Sequence, residues 1–153
     1  MSEQFVVHVT GDEGIQFDEN ALINAARQGL VIGLGKPPCA LTVTLTSAER
    51  LHDLNMQYAG IDSTTDVLSF PAESEAYAVD PGDPPYLGDV VIAYPVAEQQ
   101  AADASIPLLV ELQTLAIHGT LHLLGYDHDT PDRQAEMWAV QSAALDATRA
   151  ARL

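Results

Sequence analysis

The chain is predicted to be an α+β domain. It should hold a small mixed four-stranded sheet packed with about five helices around a buried central helix, in the order β-α-β-α-β-β-α-α-α. Three observations predict this. As far as residue 93, short runs rich in aliphatic and β-branched residues are interleaved with capped helical stretches. From Pro95 onward the pattern is that of three successive helices. Residues 108–124 are apolar on nearly every side, which marks a helix at the centre of its domain. With 153 residues, 47% hydrophobic and 18% charged, one domain spanning 1–153 with a single core is expected.

Phe5, Val7 and Val9 alternate with Val6 and His8, giving the first strand. Gly11, Asp12, Glu13 and Gly14 make a turn, and Asp18 caps a helix running to about Leu34. Leu22, Ala25, Ala26 and Leu30 lie on one side of it, and Gly35, Pro37 and Pro38 break it. Ala40 to Thr46 is the second strand. Ser47 caps the next helix, with Leu51, Leu54 and Tyr58 on a common face. Strands three and four are read at Asp66–Phe70 and Asp89–Ala93, separated by a Pro-, Asp- and Glu-rich stretch from Pro71 to Leu87. Pro95 opens a helix to about Ala104, Pro107 opens the central one, and Thr130-Pro131 starts the last, striped by Met137, Val140 and Ala144. Trp138 and the methionines are read as packing residues, and His8 and His52 as surface residues of a strand and a helix.

Composition narrows the function classes. The formal net charge is −16, from six basic and 22 acidic residues, so the surface repels phosphate backbones at long range. No apolar run is long enough to cross a bilayer, and the start MSEQFVVHVTGDEG lacks the basic and apolar parts of a signal peptide. Cys39 is the only cysteine, which excludes an internal disulfide and a cysteine-based zinc cluster. A cytoplasmic protein is the expectation, with neither membrane nor DNA as partner.

Three of the five histidines fall in the eleven residues HGTLHLLGYDH, from His118 to His128. His118 and His122 are four apart and share a helix face. Gly125 can end the helix and turn the chain so that His128 approaches the same point. Three neutral imidazoles suit one Zn²⁺ per chain, with a fourth position open to water. On the same helix Glu111, Thr114, His118 and His122 form one polar stripe, and buried polar stripes line cavities or networks. Glu111 lies about 10 Å along the helix from His118, which suits a supporting or structural group better than a ligand. The spacing matches the zinc-protease pattern H-E-x-x-H-x-x-G-x-x-H, but Gly119 stands where those enzymes carry their glutamate base, so peptidase chemistry is not expected.

The histidine segment also resembles the signature of the bacterial YbeY-type endoribonucleases, the rRNA maturation factors. Three further segments agree in order: Leu54-Asn55-x-x-Tyr58 with the family's LNxxYR, Thr65 to Pro71 with TDVLSFP, and Leu87-Gly88-Asp89 with LGD. The resemblance covers roughly residues 40 to 140. It implies a metal-dependent RNase that prefers single strands and acts in 16S rRNA 3′-end maturation and ribosome quality control. It also implies that His118, His122 and His128 bind zinc. The family's arginine, taken to contact an RNA phosphate, is replaced by Ala59, and no basic residue follows in Gly60, Ile61 and Asp62.

The expected chemistry is metal-assisted phosphodiester hydrolysis, with His118, His122 and His128 acting through a metal-activated water. Asp127 is a candidate to orient a histidine N–H or to cap the turn before the last helix. Asp89 and Ser69 are candidates to reach the cleft from strand ends, and Glu111 is a supporting candidate. The general acid and base are not legible. Two rivals stand beside this reading. One is an assembly factor with a structural zinc, docking on the ribosome, a ribosomal protein or a GTPase. The other is a metal-dependent hydrolase of a different substrate.

Overall fold

The computed structural model describes residues 5–72 and 84–150. Its elements are β1 (Phe5–Gly11), α1 (Glu19–Ile32), β2 (Cys39–Thr46), α2 (Ala48–Ala59), β3 (Val67–Pro71), β4 (Tyr86–Ala93), α3 (Tyr94–Ala104), α4 (Leu108–Leu123) and α5 (Pro131–Ala150). The order is the expected one, and the four strands form one mixed sheet in the order β1-β2-β4-β3. β1 and β4 run parallel to β2, and β3 runs antiparallel to β4. Most of the stretch from Pro71 to Leu87 lies outside the described residues.

Caps set the helix limits. Asp18 accepts the Ala21 N–H at 3.0 Å and Ser47 the Arg50 N–H at 3.1 Å, each satisfying a donor that the first helical turn leaves unpaired. α1 stops at Ile32, two residues short of the expected Leu34, because Gly33 and a left-handed Leu34 (φ 64°) turn the chain out of the helix. Thr130 accepts the Arg133 N–H at 3.2 Å at the start of α5.

The strands alternate faces with a period of two, and this sorts the core. Val7, Val9, Leu41, Val43, Leu45, Val90 and Ile92 are buried in one cluster with Leu22, Leu30, Leu112 and Ala116 of α1 and α4. A second cluster joins Ile117 and Leu121 of α4 to Ala25 of α1 and to Met137 and Ala144 of α5. α4 therefore touches α1, α3, α5, β3 and β4, as its uniform apolarity requires. Each fully buried Leu or Ile in these clusters contributes about 1.5–3 kcal/mol relative to exposure.

Among the described residues, α2 is the one helix on the opposite face of the sheet; its Leu51 packs on Val91 and Ala93, with Leu54, Leu68 and Phe70 around it. Tyr58 lies on the expected side of α2 with Leu54, toward Phe70, but is not buried there. It is 60% exposed, with its ring centroid 5.2 Å from that of Phe70. Beyond α2 the open face forms a groove of about 1320 Å³ whose walls include His8, Arg50, Tyr86 and Asp89.

Candidate metal centre

Helical geometry does most of the work of assembling the site. His118 and His122 stand one turn apart near the C-terminal end of α4, with their Nε2 atoms 3.1 Å apart. Leu124 ends the helix. Gly125 follows at φ +101°, a conformation that costs glycine little, and the Gly125 and Tyr126 N–H groups donate to the carbonyls of His122 and Leu121. The Tyr126 hydroxyl donates to the Gly33 carbonyl at 3.3 Å, which pins the returning chain against the end of α1. His128 is thereby brought back. Its ring centroid lies 5.7 Å from that of His118 and 5.3 Å from that of His122.

One nitrogen from each of the three histidines falls within 4.8 Å of the others, close enough for one metal ion. Metal–imidazole bonds of about 2.0–2.1 Å at tetrahedral angles place ligand nitrogens about 3.3 Å apart. The His118–His122 pair is already near that separation. The Nδ1 of His118 lies 2.8 Å from Oε1 of Gln141 on α5. An amide oxygen only accepts, so Nδ1 carries the hydrogen and the Nε2 lone pair is left for a ligand bond.

Burial disfavours the charged form of the two histidines on α4. His118 is pushed below the ordinary histidine value of 6.5 by desolvation, opposed by the Gln141 hydrogen bond. His122 is lowered by desolvation and then by its two histidine neighbours. The sign for stability follows. In metal-free protein the folded state refuses protons that the unfolded chain accepts below about pH 6.5. Stability should therefore be flat above that pH and fall as the pH drops through the unfolded value toward the lowered folded values. Urea unfolding of chelated protein between pH 8 and 5 checks this. A midpoint that holds steady down to pH 5 would contradict it.

The other predicted residues are placed unevenly. Ser69 lies on the α4 side of β3, where its hydroxyl donates to the Gly119 carbonyl at 2.9 Å. Asp127 does not reach a histidine ring nitrogen. Its carboxylate accepts the backbone N–H of His128 at 2.7 Å, which holds its pKa below the usual range, so it fixes the turn. Asp89 is not brought to the histidines. Val90 faces α4, so its neighbour Asp89 faces the opposite groove, where it accepts from the Tyr86 hydroxyl at 2.7 Å. Glu111 sits two turns before His118, its pKa raised by burial and then by Asp66. His52 lies on the surface of α2, 2.6 Å from Asp62.

Two residues that the sequence does not point to stand beside the histidines: Gln141, and Trp138, whose expected role is packing. The Trp138 ring lies 5.7 Å from both His118 and His128, yet the residue is 45% exposed. They stand three apart on α5, beside the buried Met137–Ala144 stripe, which was the available signal.

This arrangement defines a class: an α+β domain whose central buried helix and following turn present three imidazoles to one cation-sized space. Residues 10–149 match the family model "Endoribonuclease YbeY". The chain is 38% identical over 149 residues to an Endoribonuclease YbeY of Streptomyces coelicolor, covering 94% of this chain and 90% of that protein. It is 40% identical over 147 residues to the one from Mycolicibacterium vanbaalenii, covering 92% and 78%. The solution structure of TM1509 from Thermotoga maritima superposes with a TM-score of 0.60 at 26% identity, covering 94% of this chain and 89% of that one. The chain belongs to the YbeY endoribonuclease family. Among the described residues no helix is long and apolar enough to cross a membrane.

Proposed function

We propose that the protein is a zinc-dependent endoribonuclease of one domain, 1–153, that cuts single-stranded RNA in the cytoplasm. Its proposed role is 3′-end maturation of the 16S rRNA precursor and ribosome quality control, in contact with the ribosome, a ribosomal protein or a GTPase. Family membership supports the reaction class. The observation that carries the metal reading is the convergence of His118, His122 and His128, with the His118 tautomer set by Gln141.

In this reading the three histidines hold the ion. Zinc there supplies Lewis acidity toward a phosphoryl oxygen and an acidified water. Gln141 locks the His118 ring, and Ser69 ties α4 to β3 at the residue after it. His128 is the exposed member of the three, so substrate enters from its side. Asp127 contributes by fixing the turn that carries His128. The test adds single-stranded RNA to zinc-loaded protein, to chelated protein and to chelated protein given zinc again. Cleavage should follow the zinc, at one ion per chain by metal analysis. RNA left intact in all three samples would end the nuclease reading.

Ala59 and the −16 charge favour a second reading, an assembly factor in which zinc is structural. Chelation would then melt the protein, and the loaded form would turn over no RNA. Ala59 itself is testable. It is exposed at the last position of α2, so an arginine fits there without displacing the core. Ala59→Arg should tighten single-stranded RNA binding and steepen the log affinity against log salt slope by about 0.7, the share of one phosphate contact. Dissociation constants at four salt concentrations measure it. An unchanged slope would place the end of α2 off the RNA path.

A further inference from the structure

We infer that Trp138 is the base-stacking platform of the site: a nucleotide next to the cleaved phosphate lays its base on the exposed indole. The inference rests on the endoribonuclease reading above and names the contact that selects an unpaired base. The indole is the only large aromatic ring beside the three histidines for which a ring contact is seen, 5.7 Å from both His118 and His128 among the described residues. Its plane is tilted 57° and 52° to those imidazoles, so neither ring is stacked flat on the indole. It is 45% exposed, so much of the indole is open to solvent, where an apolar body of that size ordinarily finds cover. The distance from indole to histidines is within the reach of one nucleotide, so a phosphate at the imidazoles and a base on the indole can belong to the same or adjoining residue.

Charge makes such a contact necessary. The chain carries six basic residues against 22 acidic ones, and Ala59 offers no guanidinium. Near the site, Arg133 is committed to Asp129 and to the Gly125 carbonyl. RNA affinity then has to come from contacts that do not depend on phosphate charge, and base–aromatic stacking is the strongest of these. A stacked base must first leave its helix, so duplex RNA is refused without any sequence-reading contact.

Trp138 is the only tryptophan in the chain, so intrinsic fluorescence reports on it alone. Zinc-loaded protein is titrated with a short single-stranded RNA and with its duplex, following tryptophan emission. The dissociation constant is taken separately from the anisotropy of labelled RNA. The single strand should quench the emission and the duplex should leave it unchanged. Trp138→Leu, which keeps apolar bulk but removes the π face, should weaken single-strand binding by between about fivefold and a hundredfold. Trp138→Phe should stay close to the wild type, and both variants should retain zinc. The inference is overturned if emission is unmoved at saturating RNA or if Trp138→Leu binds as tightly as the wild type. Loss of zinc from Trp138→Leu also overturns it, since the indole would then act by propping the ligands. Absence of any anisotropy change with wild-type protein would instead sink the endoribonuclease reading itself.

Discussion

Replacing His118 by alanine is expected to reduce RNA cleavage to background and to release the metal. His118 is the most constrained of the three histidines. Its Nδ1–H is held by Gln141 at 2.8 Å and its Nε2 lies 3.1 Å from that of His122, so no other ring can rotate into its place. With two imidazoles remaining, the site falls below the three protein ligands that catalytic zinc ordinarily keeps. Gln141→Ala grades the effect. It leaves the donor set whole but frees the His118 tautomer, so metal affinity should fall by about 10–100-fold, as loss of an orienting partner does. Competition against a chromophoric chelator measures both variants, beside cleavage of single-stranded RNA. If His118→Ala cuts as fast as the parent, these histidines are not the reaction centre. If Gln141→Ala holds zinc as tightly as the parent, its hydrogen bond does not orient the ligand.

Gly119→Glu, which would complete the zinc-protease pattern, is expected to unfold the protein, with no peptidase activity gained. A Cβ at Gly119 would fall 2.4 Å from Cγ1 of Val90 and 3.1 Å from Oγ of Ser69. Val90 is fully buried and β-branched, so it has little rotamer freedom with which to yield. A glutamate there adds overpacking to the burial of a charge facing an apolar strand, one of the few mechanisms that cost several kcal/mol. Gly119→Ala separates the two causes. Overpacking costs about 1–3 kcal/mol, and the gain in helix propensity returns up to about 1 kcal/mol. A net loss of about 1–2 kcal/mol is expected in chemical unfolding. Because α4 must move off β4 to make room, zinc affinity should fall with it. A Gly119→Ala protein with unchanged unfolding midpoint and unchanged zinc affinity would contradict this close approach.

The glycine gives a physical reason for what the sequence shows only as a missing glutamate. In the zinc-protease pattern the residue after the first histidine must face the cleft. Here that position faces Val90 of β4, and the Ser69 hydroxyl holds the Gly119 carbonyl. The two patterns share ligand spacing, but packing against Val90 leaves no room for a side chain at Gly119 here.

What was legible in the chain depended on how local its cause was. The caps at Asp18 and Ser47, the apolar stripe of α1 and the all-round apolarity of α4 act within one or two turns, and the elements came out in the expected order. Tyr58 lies at helical spacing from Leu51 and Leu54, yet it is exposed. It shares a groove wall with Leu54 beside Phe70, so helical spacing gave its face and tertiary packing its depth. Asp89 is a cleft candidate by its place at a strand end, and Asp89-Val90-Val91-Ile92-Ala93 has no clean alternation to say which side chains face which layer. The burial of Val90 against α4 decides it, and that is a property of the assembled sheet.

The sequence by itself determined the donor set. His118 and His122 share a face because a helix repeats every 3.6 residues, and Gly125 can turn the chain because it lacks a Cβ. Only the tertiary structure decided what surrounds those donors. Gln141 and Trp138 reach them because α5 folds back onto α4 through Met137 and Ala144. Gly119 is required because Val90 arrives from a strand twenty-nine residues earlier. Periodicity acts along the chain and can be read from it, whereas the roll of one helix against its neighbours is set by all the packed side chains together.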